Sequence, residues 1–202
     1  MVLPLMNQEM LMENPSKHHV NQERLDEERM IIEKAKSEPA AFEPLYRRYF
    51  EDIFRFIYQR LDSKDLAKDL TQQTFIKAMN ALPKYEDRGL PFKSWLYRIA
   101  LNELNSEFRK NTKNQCLNLS SDGIEEIMDE MEEHDNYEPY IERLTEVMGM
   151  LEPENLYLLE MRFFEKRSFK EIGEILEITE NNAKVKTYRL LEKIKHIIIK
   201  AA

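Results

Sequence analysis

The residues best placed to do chemistry lie near the end of the chain. Asn182, Val185, Lys186, Arg189 and Lys193 fall at i, i+3, i+4, i+7 and i+11, which sets them along one side of a helix. On the other side Ala183, Thr187, Leu190, Leu191, Ile194 and Ile198 recur at three-four spacing. One stripe is apolar or small and must pack, while the other offers amide and cationic groups. A helix of that kind can present hydrogen-bond donors to base edges and phosphates in a DNA major groove. Upstream, Ser168 and Glu171 form a Ser-x-x-Glu capping box for a short helix to Leu176, and Glu177-Ile-Thr179 is a tight connection. Thr179 is an N-cap for the longer helix. The pattern is helix-turn-helix, although a helical hairpin with a solvated basic face has the same composition.

These groups need a scaffold, and the spacing of apolar residues supplies one. Residues 1–22 keep no steady period and read as a mobile tail. A short amphipathic helix runs from Leu25 towards Ser37, where Glu38-Pro39 interrupts it. Phe42, Leu45, Tyr46, Tyr49, Phe50, Ile53, Phe54, Ile57, Tyr58 and Leu61 then hold a strict three-four spacing. Asp62 or Ser63 caps a further helix marked by Leu66, Leu70, Phe75, Met79 and Leu82. A loop from Pro83 to Pro91 carries Tyr85 and Gly89, and the next helix turns Phe92, Trp95, Leu96, Ile99, Ala100 and Leu104 inward before ending near Asn111. Residues 114–136 are polar and acidic and read as a linker. Fully extended, those 23 residues reach at most about 75 Å. Tyr137, Tyr140, Ile141, Leu144, Val147, Met148 and Leu151 restart the helical spacing, and Pro153 suits the first turn of a helix running to about Phe164. No strand alternation occurs. The expectation is an all-α protein of two small helical domains, residues 23–113 and 137–202.

Charge is segregated along this plan. The formal net charge is -8. Residues 1–40 carry a net of -3, 41–115 a net of +4, 116–150 a net of -10 and 151–202 a net of +1. Affinity for phosphate rests on local positive charge, so free duplex should be bound weakly and a second anchor is implied. Cys116 is the only cysteine, which excludes an internal disulfide or a Cys-based zinc site. The adjacent His18 and His19 suit a polar tail, and no metal or cofactor is expected. With 4 glycines there is no Gly-rich phosphate loop and no nucleophile elbow. An enzyme is not expected. The chain lacks a signal-peptide pattern and a membrane-length apolar run, so a reducing, cytoplasmic setting is the economical reading.

Two separated segments carry a resemblance. Ala67-Lys-Asp-Leu-Thr-Gln-Gln-Thr-Phe75, with Phe92-Lys-Ser-Trp-Leu-Tyr-Arg-Ile-Ala-Leu-Asn102 and Phe108-Arg-Lys110, resembles region 2 of bacterial sigma-70-family factors. Leu151-Glu-Pro-Glu154 followed by the helix-turn-helix resembles region 4. Two such domains around an acidic linker are similar to the extracytoplasmic-function (ECF) subgroup. The resemblance implies a dissociable RNA polymerase subunit that directs promoter recognition, DNA melting and transcription initiation. It implies polymerase docking, on the clamp helices of the largest subunit, through Asp65, Asp69, Gln72 and Gln73. It assigns the minus-ten element to Tyr85, Phe92, Lys93, Tyr97, Arg98, Asn102, Asn105, Arg109 and Lys110, with loop 84–92 capturing an extruded nontemplate base. Tyr97 is expected to point away from the apolar stripe towards the strand, and Trp95 into the core. Region 4 would read the minus-thirty-five element through Asn181, Asn182, Lys184, Val185, Lys186, Arg189 and Lys193. An anti-sigma factor is a further partner compatible with the family.

The chain departs from the family pattern at Lys68, where an acidic residue is common, at Glu177, where the turn often has glycine, and at Asn181 and Ala183. A stand-alone helix-turn-helix regulator would share the second domain but not residues 67–75 and 92–110. A helical adaptor without a DNA role would not place Asn182, Lys186 and Arg189 together.

Overall fold

The computed structural model describes residues 22–111, 121–131 and 138–200. Every regular element among them is helical. The first lobe holds α1 (Gln22–Ser37), α2 (Glu43–Tyr58), α3 (Lys64–Ala81) and α4 (Phe92–Asn111), with single 3-10 turns at Pro39–Phe42 and Leu82–Lys84. The second holds α5 (Ser121–Glu130), α6 (Glu138–Gly149), α7 (Pro153–Leu159), α8 (Phe169–Leu176) and α9 (Glu180–Lys200).

Local chemistry sets the boundaries. Ser63 caps α3 by accepting from the Leu66 amide at 3.3 Å, and Pro153 starts α7 where its missing N–H costs nothing. At α8 both halves of the capping box form: the Glu171 amide donates to Ser168 Oγ and the Ser168 amide to Glu171 Oε2, each at 3.2 Å. α7 continues into a wider π-helical turn at Glu160–Phe164. Such turns re-aim side chains at functional positions, and this one faces Glu160 towards the first lobe.

In the first lobe Leu45, Tyr49, Ile53 and Ile57 of α2 pack against Ala67, Leu70, Phe75 and Ala78 of α3 and Leu96, Ala100 and Leu104 of α4. Phe42 sits edge-on to both Phe75 and Phe92, at 6.4 and 6.3 Å between ring centroids. The α2 stripe is narrower than the spacing predicted. Tyr46 and Tyr58 are exposed, and Phe50 and Phe54 are half-buried. Met79 is also exposed rather than inward.

The acidic segment differs from expectation. Residues 121–130 form α5, and Ile124, Ile127 and Met128 are buried against Leu159, Phe163 and the α9 residues Leu191 and Ile194. Ten helical residues span about 15 Å where an extended chain would span about 33 Å, which shortens the reach of residues 121–130. Tyr137 lies outside the described residues.

The two lobes also share a core. Tyr157, Leu158, Met161, Ile172 and Ile175 belong to the same buried cluster as Leu96, Ala100, Leu101 and Leu104. α8 lies along α4 and closes one lobe on the other. No helix among the described residues is long and apolar enough to cross a membrane.

Candidate nucleic-acid interface

The two faces of α9 separate as the sequence requires. Ala183, Thr187, Leu190, Leu191, Ile194 and Ile198 are buried, while Asn181, Asn182, Lys184, Val185, Lys186, Arg189 and Lys193 are exposed. Thr179 Oγ1 accepts from the Asn182 amide at 3.2 Å and fixes the start of the helix. The connection before it is tight. A Cβ on Gly173 would come within 2.7 Å of the Ile178 carbonyl oxygen, so only glycine allows α8 and α9 to approach this closely. Glu177 has φ +58, the left-handed conformation that favours glycine; a non-glycine residue there costs about 1–2 kcal/mol. Tyr188, which the sequence analysis passed over, is also exposed on α9 beside Phe169, at 6.1 Å between ring centroids.

The corresponding face of α4 is partly covered, with Asn102 still exposed. Arg98 Nη1 lies 3.4 Å from Glu174 and 3.3 Å from Glu177 at the end of α8. Asn105 Oδ1 accepts from the Tyr157 hydroxyl at 3.1 Å. Asn102, Asn105, Tyr157, Glu177 and Lys186 line a crevice of about 170 Å³ between the lobes. Arg109 and Lys110 remain exposed at the end of α4, and Lys93 is half-buried at its start.

Two expectations about aromatic residues need correction. Phe92 is fully buried, packed edge-on or tilted against Phe42, Tyr49, Tyr85 and Trp95, so it supports the loop and cannot itself meet a base. Tyr97 does leave the Leu96–Ala100 stripe, but it is 6% exposed rather than free. Its ring lies 4.8 Å from Phe56 and 3.8 Å from the Arg167 guanidinium, and burial pushes its phenol above the ordinary range. Tyr85 is half-buried against Trp95. Trp95 is buried as expected.

A charged network that sequence reasoning missed joins the lobes. Arg60, at the end of α2 and 2% exposed, reaches Glu160 and Glu165 of the second lobe at 2.8 Å each. Its guanidinium also donates to the Phe56 carbonyl at 2.7 Å and lies 4.0 Å above the Phe56 ring. Arg167 donates to Glu165 at 2.5 Å. Burial pushes the Glu160 carboxyl up against the pull of Arg60. Burial works the same way on Glu165, but Arg167 and Arg60 together outweigh it and hold that carboxyl below its ordinary value.

On the opposite side of the first lobe Asp65, Asp69, Gln72 and Gln73 are all exposed along α3. Lys68 pairs with Asp65 at 3.2 Å within this row, which offsets part of its negative charge. The four residues form one polar strip backed by Leu66, Leu70 and Phe75.

Comparison with known proteins gives this geometry a family. Residues 45–114 match the model of Sigma-70 region 2, and residues 141–194 match that of Sigma-70, region 4. RNA polymerase sigma factor YlaC of Bacillus subtilis is 30% identical over 138 residues, spanning 67% of this chain and 79% of that protein. ECF RNA polymerase sigma factor SigM of the same species is 28% identical over 152 residues, 75% of this chain and 91% of that one. Among solved structures, CnrH in complex with the cytosolic domain of CnrY shares the fold with a TM-score of 0.54 at 18% identity, over 86% of this chain and 98% of that one. The order of the two regions, the helix-turn-helix and the relatives agree: the chain belongs to the ECF subgroup of the sigma-70 family, transcription initiation factors that bind RNA polymerase and recognise promoter DNA.

Proposed function

We propose that this sigma factor divides its work between the two lobes and must open to do it. Docking on core polymerase uses the polar strip Asp65, Asp69, Gln72 and Gln73 of α3. The helix-turn-helix domain within the second lobe, residues 137–202, reads the minus-thirty-five duplex with Asn181, Asn182, Lys184, Val185, Lys186, Arg189 and Lys193 of α9. The first lobe, residues 23–113, melts the minus-ten element: loop 84–92 takes the extruded base, and Lys93, Arg98, Asn102, Asn105, Arg109 and Lys110 hold the strand. Cationic groups beside a pocket for an unpaired base are what strand opening needs.

The two-faced α9 carries this reading most directly, since its exposed amides and cations have no packing role. The partly covered face of α4 adds a condition. Arg98 and Asn105 cannot meet DNA while they bind α8 and Tyr157, so the lobes must part when the factor docks. Linked contacts then add through effective concentration, which explains how an acidic chain can bind a promoter tightly only as part of the enzyme. CnrH was solved with the cytosolic domain of CnrY, and a regulatory protein that holds the closed form is a further proposed partner here.

The test is reconstitution. Purified chain added to core polymerase should start RNA synthesis at discrete promoters, mapped by sequencing transcript ends from a genomic template library. A chain that leaves core polymerase without discrete starts would overturn the proposal.

A further inference from the structure

The loop assigned to base capture is held by a helix outside both matched regions. α1 ends at Ser37, before the region-2 match begins at residue 45. Glu28 of α1 is 4% exposed, and its Oε2 accepts from the Phe92 amide at 2.8 Å. Phe92 is the first residue of α4, whose opening amides have no partners within the helix. The residue before it is Pro91, which has no side-chain oxygen with which to cap. A carboxylate from a distant helix therefore does what a serine or aspartate normally does next to the helix start. The other Glu28 oxygen accepts from the Tyr49 hydroxyl, which fixes the direction of the carboxylate.

The neighbouring residue holds the middle of the loop. Arg29 Nε donates to Asp87, and its Nη1 bonds Asp26 at 3.0 Å. Asp87 Oδ1 in turn accepts from the Gly89 amide at 2.7 Å, across a turn in which Gly89 has φ +70. On the far side of the loop Arg88 reaches Glu174 of α8 at 3.3 Å. That contact belongs to the closed form and is lost when the lobes part. The α1 contacts lie within the first lobe and remain.

We infer that Glu28 and Arg29 are positioning residues for minus-ten recognition: they hold loop 84–92 in register so that one extruded base is distinguished from the other three. The inference rests on the minus-ten reading proposed above. Arg29 sets the tip of the loop through Asp87, and Glu28 sets its exit into α4. Neither touches DNA.

The experiment uses the full chain bound to core polymerase on a promoter it initiates from. The nontemplate minus-ten bases are varied one position at a time, and open complexes are scored by permanganate reactivity. The wild type should prefer one base at the captured position. Arg29→Ala and Asp87→Asn should each reduce that preference by about tenfold, with the pair of changes no worse than either alone. Core binding and minus-thirty-five duplex binding should be unchanged. Glu28→Gln, which keeps an acceptor oxygen towards the Phe92 amide, should retain more of the preference than Glu28→Ala. A merely structural role would lower all four templates in parallel, and that outcome overturns the inference even where Glu28→Ala folds poorly. If the variants keep the wild-type preference, the α1 assignment alone fails. If the wild type shows no base preference anywhere in the minus-ten element, the minus-ten reading fails and takes this inference with it.

Discussion

Replacing Arg60 with methionine separates lobe opening from unfolding. The methionine stem fills much of the space of the arginine stem, but the guanidinium that holds Glu160 and Glu165 at 2.8 Å is gone. Glu165 keeps Arg167 at 2.5 Å, so the cost falls mainly on Glu160. Removing one partner of a buried ion pair costs about 3–5 kcal/mol. The penalty has a ceiling, because Glu160 can take a proton instead. A carboxyl with an ordinary value of 4.5 pays about 3.4 kcal/mol to be neutral at pH 7, and about 1.4 kcal/mol less for every unit of acidification. Among the described residues Glu160 meets its cation across the closed lobes, so most of the penalty should appear as opening. The Arg60→Met chain should therefore be extended at pH 7.5 and compact again near pH 5, while the wild type is compact throughout. Small-angle scattering across that range measures this directly. Adding Glu160→Gln to Arg60→Met should restore compactness at neutral pH, since an amide needs no cation. The opened variant should also bind single-stranded minus-ten DNA more tightly without polymerase. A radius of gyration that stays compact in Arg60→Met at every pH, with only the melting temperature lowered, would refute the reasoning.

In the wild type Glu160 has a raised carboxyl value when closed, so closure binds a proton and strengthens as pH falls through that raised value towards 4.5; a rise on acidification in the urea concentration needed to part the lobes checks the sign. Glu165 is held low by its two arginines, so its contribution persists above 4.5 and is lost only at more acid pH. Asp69→Arg with Gln72→Ala should weaken core binding in a pull-down without changing helix content, since both residues are exposed. Lys186→Ala and Arg189→Ala should each lower promoter affinity by about 1–3 kcal/mol if the lost contact is bidentate to a base, and a pre-melted bubble should not rescue them. Arg98→Ala with Asn102→Ala should be partly rescued by that bubble in runoff transcription, because the cost of unstacking is spared; equal rescue of both classes would mean the lobes do not divide the work. Gly173→Ala should destabilise the second lobe by about 1–3 kcal/mol through overpacking, whereas Glu177→Gly should stabilise it by about 1 kcal/mol, since φ is already +58; thermal denaturation reads both.

What the sequence made legible was whatever a single helix decides for itself. The faces of α9 follow from three-four spacing alone, and the caps at Ser63, Ser168 and Thr179 are chosen within three residues of where they act. α5 was hidden by composition: its acidic residues dominate the segment, yet Ile124, Ile127 and Met128 at three-four spacing suffice to define a buried face. Several of the residues misread or missed serve the neighbouring lobe. Phe56 lies off the main α2 stripe because it packs under Arg60 and Tyr97. Arg60 finds its carboxylates 100 and 105 positions further on, a distance over which no local pattern operates. Tyr97 leaves the core stripe of its own lobe, as its register requires, and is then covered by Arg167 of the other. The same logic explains why this interface mixes ions with apolar contacts. A face built only of residues such as Leu158, Met161 and Ile175 would hold the lobes more firmly, whereas Arg60, Glu160 and Glu165 can each return to water when they part. Burying ions this way adds little net stability, because desolvation cancels most of their attraction. That near-balance suits a contact that docking on the polymerase must be able to break.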